Sequence, residues 1–460
     1  MSDDTTTQCL LLPDIFPKPV VAQFDQRQGS SDGGAFLLKA ADRRYGCLTA
    51  KLAACLQDDR QSGKIDHTLE ELLAQRVFGI ACGYPDANDT ARLASDPIHK
   101  LLLGRDPVHG RDLASQPTVS RFENAMGPRD LYRMGETLAD GVIERHAQRL
   151  GGRVRRVTID LDPTDDPTHG AQQLSFFNGH YDTWCYLPVL GFVSFNDEVE
   201  QYLFTAVLRP GNAPAALGAI GILRRILQRI YHHFPQAGIL VRLDGGFAHP
   251  QLLNFLDGQP RVEYVVAMAK NSVLKRIAEP GMRQARKLSR QSERTEHIYG
   301  EVQYAAKKWP AARRVIIKAE VVRQAGKEAK DNPRFVITNL KQSPQWIYER
   351  VYCQRGDIEN RIKELHEGLQ IDRTSCTSFW ANQLRVLLTA TAYVLMQELR
   401  LSAARTDCAR AQVWTLRERL LKLGAHVVGS VRRVVVHLPA SFPFLPTFRS
   451  VSLAFGASAG

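Results

Sequence analysis

Residues 154–166 read VRRVTIDLDPTDD. Val157, Ile159 and Leu161 alternate with polar neighbours, which is the period of a β-strand. On such a strand Asp160 and Asp162 share one face and Ile159 and Leu161 point the other way. Pro163 and the Asp165-Asp166 pair announce a turn. Two carboxylates on one face repel each other unless water or a cation neutralises them. The segment is therefore either a solvated strand end or one side of a metal site.

The strand opens an alternating region. Gly151-Gly152 separates it from a helical stretch upstream. Residues 184–195 and 200–208 read as two more strands, joined by a turn at Asn196-Asp197. Residues 213–234 form an amphipathic helix bearing Arg224, Arg225 and Arg229. Residues 238–243 and 262–268 are short apolar strands with a helix between them. A meander followed by alternating helices and strands predicts an α/β layered core.

Asp244, in VRLDGGF, closes one of those strands. A strand end is a common place for functional residues in an α/β sheet. Gly245 and Gly246 leave space beside it for a substrate backbone, although Asp-Gly is also an ordinary turn. Residues 352–366, YCQRGDIENRIKELH, read as a helix. Tyr352, Arg355, Glu359, Lys363 and His366 fall at spacings of three or four and form one stripe. By itself that stripe reads more readily as a surface helix laced with ion pairs. Together, two strand-end aspartates and a helix glutamate are the oxygen ligands that two Mg²⁺ ions prefer. Such a pair clamps the attacking and leaving oxygens of a phosphoryl displacement. Arg355, Lys363 and His366 would then face the phosphodiester.

Charge agrees with a polyanionic partner. The chain has 460 residues and a formal net charge of +12, with 44% hydrophobic and 23% charged residues. That composition excludes a mainly disordered or collagen-like chain. Eight cysteines without a C-x-x-C pair exclude a disulfide scaffold and a readable zinc motif. The acidic start, MSDDTTTQCL, is not a signal peptide, and no apolar run is long enough for a membrane span. A cytoplasmic chain with nucleic acid as partner is the expectation. The excess is concentrated: residues 270–330 hold 16 Lys+Arg and 6 Asp+Glu. Lys307, Lys308, Arg313 and Arg314 are the candidate phosphate contacts there. This stretch reads as a β-rich insertion. Residues 111–126 suggest a helix, a Gln-Pro turn and a second helix bearing Ser120 and Arg121, in the manner of a helix-turn-helix.

The ensemble resembles the DDE transposases of bacterial insertion sequences. It is similar to their Y-x2-R-x3-E branch through Tyr352, Arg355 and Glu359, and to insertion-sequence family thirteen-eighty through IDLDPTDDPTHGAQ, VLRPGNA, VRLDGGF, FVITNL and RGDIENRIKELHEGL. The resemblance implies a ribonuclease H-like core with a β-rich insertion. It implies a helical DNA-binding region at 1–150, core segments at 151–269 and 334–402, the basic insertion at 270–333, and a C-terminal region at 403–460. It implies Asp162, Asp244 and Glu359 as catalytic ligands of two Mg²⁺, with Mn²⁺ as a substitute. Asp162 is preferred because Pro163 and Thr164 follow it, with Asp160 in support. It implies double-stranded DNA partners (terminal inverted repeats and target), a homodimer in the synaptic complex, and a bacterial, nucleoid-associated setting. His366 stands where the family signature has lysine. Some members of the branch stack a flipped base on an aromatic residue. Trp309 is the candidate here, with packing inside the insertion as the alternative. The competing classes are a DNA-binding protein without catalysis and a carboxylate-pair hydrolase such as a glycosidase.

Overall fold

The computed structural model describes residues 9–12, 15–307 and 309–458. A nine-stranded sheet forms its centre. The main strands are β1 Arg156–Pro163, β2 Val189–Phe195, β3 Tyr202–Val207, β4 Gly238–Leu243, β5 Val262–Met268, β6 Glu296–Tyr304, β7 Arg313–Val322 and β8 Arg334–Thr338. The short strand Lys330–Asp331 pairs with β7. Their spatial order is β6-β7-β8-β5-β4-β1-β2-β3. β4 runs parallel to β1 and β5, whereas β2 is antiparallel to both β1 and β3. The expected alternation is present in β1: Val157, Ile159 and Leu161 lie in the main core.

Five helices matter for the site: α1 Pro128–Leu150, α2 Ala219–His233, α3 Ser272–Ser292, α4 Gly356–Leu369 and α5 Phe379–Ser402. α2 buries Ile222, Leu223, Ile226, Leu227 and Ile230 in the main core. The other sheet face has its own small core. Leu240, Val265, Ile316 and Val336 pack there against Ile347, Tyr348 and Val351. Those last three belong to a helical run that starts at Pro344, widens to a π-helix over Ile347–Tyr352, tightens at Cys353–Arg355 and continues as α4. Apolar contact thus lays this run across the face that carries Asp160 and Asp162. α5 is buried along almost its whole length, and the helices of residues 36–150 share its core. Among the described residues no helix is long and apolar enough to cross a membrane.

Three local expectations are corrected. The stretch 270–333 is not simply β-rich, because it begins with the 21-residue α3. Asn271 caps α3 by accepting the Leu274 N–H at 2.8 Å, and Leu274, Ala278, Met282 and Ala285 form its buried stripe. Its strands β6 and β7 also extend the central sheet through β8. Residues 184–195 are not one strand. Pro188 has no N–H to donate, and the part before it, Thr183–Tyr186, pairs with Phe176–Asn178 and Asp166–Pro167 in a separate three-stranded sheet. Gln116-Pro117 is not an inter-helix turn. It opens the helix Gln116–Ala125, where a first-turn proline loses no hydrogen bond. Residues 111–115 are non-helical, so no helix stands directly before it.

Candidate active site

The sheet brings two of the three acids together. Leu161 of β1 is in register with Leu243 of β4 in a parallel pair. The next residues, Asp162 near the end of β1 and Asp244 just past the end of β4, therefore stand side by side. Asp244 caps the short turn Gly245–Phe247, accepting the Gly246 N–H at 2.9 Å. A Cβ on Gly246 would stand 2.6 Å from that of Ala215, so close packing requires glycine there. Glu359 arrives from the first turn of α4.

One guanidinium ties the group. Arg355 donates to Asp162 Oδ2 at 2.9 Å and to Glu359 Oε1 at 3.0 Å. Burial pushes the Asp162 carboxyl up to about 7; Arg355 opposes the rise, and the charges of Asp244 and Glu359 add to it. Burial also raises Asp244, again against Arg355. Three mutually repelling carboxylates around one cation form a place that demands positive charge.

Asp160 has a different role from the one expected. Arg242 donates to its Oδ1 at 2.8 Å and its Oδ2 at 2.7 Å, and Gln201 donates to Oδ2 at 3.0 Å. Both carboxylate oxygens are engaged inside the protein, so Asp160 is a buried ion-pair partner and not a free ligand. Two further residues flank the acids. Tyr181 has its hydroxyl pushed up to about 12 by burial, with Asp165, Asp162 and Asp244 adding to it. Burial lowers Arg209 to about 10, partly offset by Tyr181 and Asp244. Arg209 donates to the carbonyls of Leu187, Pro214, Ala215 and Leu217. Sequence reasoning missed both residues. Arg209 sits inside the quoted VLRPGNA, and an arginine directly after an apolar strand was the available signal.

The other candidates divide. Tyr352 is half-buried and its ring lies 5.3 Å from that of Tyr348. Lys363 is exposed, 3.6 Å from Glu367. Both ring nitrogens of His366 are engaged, with Thr164 and Asp372. Trp309 is half-buried, 5.6 Å from the Tyr304 ring, with the Arg313 guanidinium 5.0 Å over its face. The packing alternative describes it better than an open stacking platform. Arg313 is buried and donates to Asp257 and Asn254. Arg314 pairs with Glu301 and donates to the carbonyls of Leu340 and Gln342. Neither arginine is free for phosphate, which corrects that expectation. Lys307 is exposed, and Lys308 lies outside the described residues. On the helix Gln116–Ala125, Ser120 is half-buried and Arg121 exposed. Elsewhere Asp32, Cys82 and His99 form a buried cluster of ligand-type side chains. Lys422 and His99 already take the two Asp32 oxygens, so that cluster is a satisfied ion-pair network.

Residues 12–456 match the family described as transposase DDE domain group 1. The chain belongs to that family. No curated protein matches this transposase-family chain. Among solved structures, a cryo-EM structure of a piggyBac transposase synaptic complex with hairpin DNA is similar at a TM-score of 0.40 and 9% identity, over 86% of this chain and 80% of that one.

Proposed function

We propose that this chain is a metal-dependent DNA transposase that cuts DNA at element ends and joins the freed strand to target DNA. The observation that carries the reading is that Asp162 and Glu359 share the Arg355 guanidinium while the strand register sets Asp244 beside Asp162. The strand order supports a ribonuclease H-like core, since β3-β2-β1-β4-β5 runs with only β2 antiparallel to its β1 and β3 neighbours. Family membership supports the same reading.

The three carboxylates fit divalent cations. Arg355 occupies their midst as a stand-in positive charge, and oxygen-only ligation suits Mg²⁺ or Mn²⁺. Two such ions, when bound, supply neutralising charge for the attacking and leaving oxygens. Asp162, Asp244 and Glu359 would hold them. Arg355, released from Asp162 and Glu359, would turn to a DNA phosphate as a charge-assisted donor.

Helix α3 joins the exposed Lys307 of the β6–β7 connection as a candidate DNA contact. Lys275, Arg276, Arg283, Lys287 and Arg290 are exposed, opposite the buried stripe of that helix. Arg276, Arg283, Lys287 and Arg290 recur at helical spacing, so they present one cationic ridge suited to a phosphate backbone. Terminal inverted repeats and target DNA as substrates, a synaptic homodimer and a bacterial insertion-sequence origin complete the proposal.

The test is nicking of a supercoiled plasmid carrying the element ends, with Mg²⁺. Asp162→Asn, Asp244→Asn and Glu359→Gln should each abolish nicking and retain DNA binding. Near-normal nicking by any of them removes that residue from the ligand set. A wild-type protein that binds the ends and never nicks would refute the enzyme.

A further inference from the structure

Asp162 and Glu359 reach the site on separate elements, a strand end and a helix. Between the two, the direct tie is Arg355, whose guanidinium holds one oxygen of each. That tie is a poor spacer for a working site. When divalent cations take those oxygens, the guanidinium must leave. Something else has to keep β1 and α4 at a constant separation.

A second bridge crosses the same gap. Thr164 lies two residues past Asp162, and His366 lies two helical turns past Glu359 on α4. His366 Nε2 is 3.1 Å from Thr164 Oγ1, and its Nδ1 is 3.2 Å from Asp372 Oδ2. An ionised carboxylate only accepts, so Nδ1 carries a proton toward Asp372. In the neutral ring Nε2 is left to accept the Thr164 hydroxyl. Both flanks are themselves held. The Thr164 N–H donates to Pro188 O at 3.0 Å. Gln370, with φ at +53°, ends α4 and turns the chain back so that Asp372 meets the helix it has just left. Further along, Thr374 donates to both oxygens of Asp166, and Gln172 donates to Thr374 O at 2.7 Å. The loop after Asp162 and the loop after α4 thus form one polar seam with His366 at the end nearest the carboxylates.

We propose that His366 is a positioning residue: through Thr164 and Asp372 it holds the exit of β1 against α4, so that Asp162 and Glu359 keep the spacing a cation pair needs. The inference rests on the proposed reading of those two acids as cation ligands. It departs from the phosphate contact expected at this position. A ring with both nitrogens engaged and a side chain only 21% exposed has no donor left for a phosphate.

The experiment compares Thr164→Val, Thr164→Ser, His366→Ala and the Thr164→Val/His366→Ala double variant in the full chain. Three quantities are read: Mn²⁺ affinity of the DNA-free protein, plasmid nicking at saturating DNA and Mg²⁺, and the KM for DNA over a range of salt. Outer partners of metal ligands are worth about 10- to 100-fold in affinity or rate. Thr164→Val and His366→Ala should each lose that much in the first two, and the double variant should lose no more than either single. Thr164→Ser, which keeps the hydroxyl, should stay within about 3-fold of wild type. The KM for DNA and its salt dependence should not move. A normal Thr164→Val, additive losses in the double variant, or a His366→Ala defect confined to the KM for DNA would overturn the inference. A wild-type protein that neither binds Mn²⁺ nor nicks would instead overturn the underlying reading, and the inference with it.

Discussion

Asp160 and Arg242 stand directly opposite each other on β1 and β4, and the guanidinium takes both carboxylate oxygens. The side chains are 1% and 5% exposed. Removing one partner strands a buried charge, which costs about 3–5 kcal/mol, whereas replacing both by apolar residues is often neutral. Asp160→Ala should lower the urea midpoint strongly. Asp160→Leu with Arg242→Met should recover most of the stability and nick DNA normally. Loss of nicking in a stable double variant would return Asp160 to the ligand set.

The cationic ridge of α3 makes a separate prediction about salt. Changing Arg276, Arg283, Lys287 and Arg290 to Gln should flatten the dependence of DNA affinity on salt, by about 0.9 in slope for each phosphate that is no longer neutralised. The thermal midpoint should hold, because these side chains are exposed. Arg313→Ala should do the reverse. It leaves Asp257 with only the Tyr264 hydroxyl and takes the cation off the Trp309 face, so it should lower the midpoint while leaving the salt slope unchanged.

The outer edge of the sheet is closed by two side chains of α5. Gln397 Oε1 accepts the Leu203 N–H at 3.1 Å and its Nε2 donates to Gln201 O at 2.6 Å. Gln383 does the same for Leu208 N–H and Ala206 O. The two amides imitate a neighbouring strand beside β3. Gln397→Leu leaves two buried backbone groups unpaired, each worth about 1–3 kcal/mol. Denaturant unfolding should show that loss, and light scattering should show association through the opened edge.

Asp166 sets a pH dependence apart from the three candidate ligands. Burial pushes its carboxyl up to about 8; the Thr374 hydroxyl opposes this, and Asp372 and Asp165 add to it. The folded chain then holds a proton that the unfolded chain releases near pH 4, so stability falls as pH rises between about 4 and 8. Asp166→Asn cannot ionise. Its melting midpoint should exceed that of wild type by a margin that grows from about pH 5 to about pH 9. A constant margin would mean that Asp166 is ionised throughout.

Much of the site was legible because its signals are local. Period-two alternation placed Asp160 and Asp162 on one face of β1, and a short apolar run ending in Asp-Gly-Gly placed Asp244. The spacing of Arg355 and Glu359 announced the contact they make. What failed were statements about charged side chains whose partners lie far off in the sequence. Arg313 and Arg314 looked like part of a basic surface, yet each faces a carboxylate and carbonyl groups drawn from distant sequence. The apolar stripe of α3 was present in the sequence and was masked by the charge around it.

The sequence by itself determined the parallel core strands, the three candidate acids and the concentration of positive charge in residues 270–330, because strand period and residue chemistry are written in neighbouring positions. Only the tertiary structure decided which carboxylates are open. Asp160 and Asp162 are two residues apart on one face, and β4 offers Arg242 to the first and Asp244 beside the second. That choice depends on which strand lies alongside and in what register, and register is set by packing across the whole sheet.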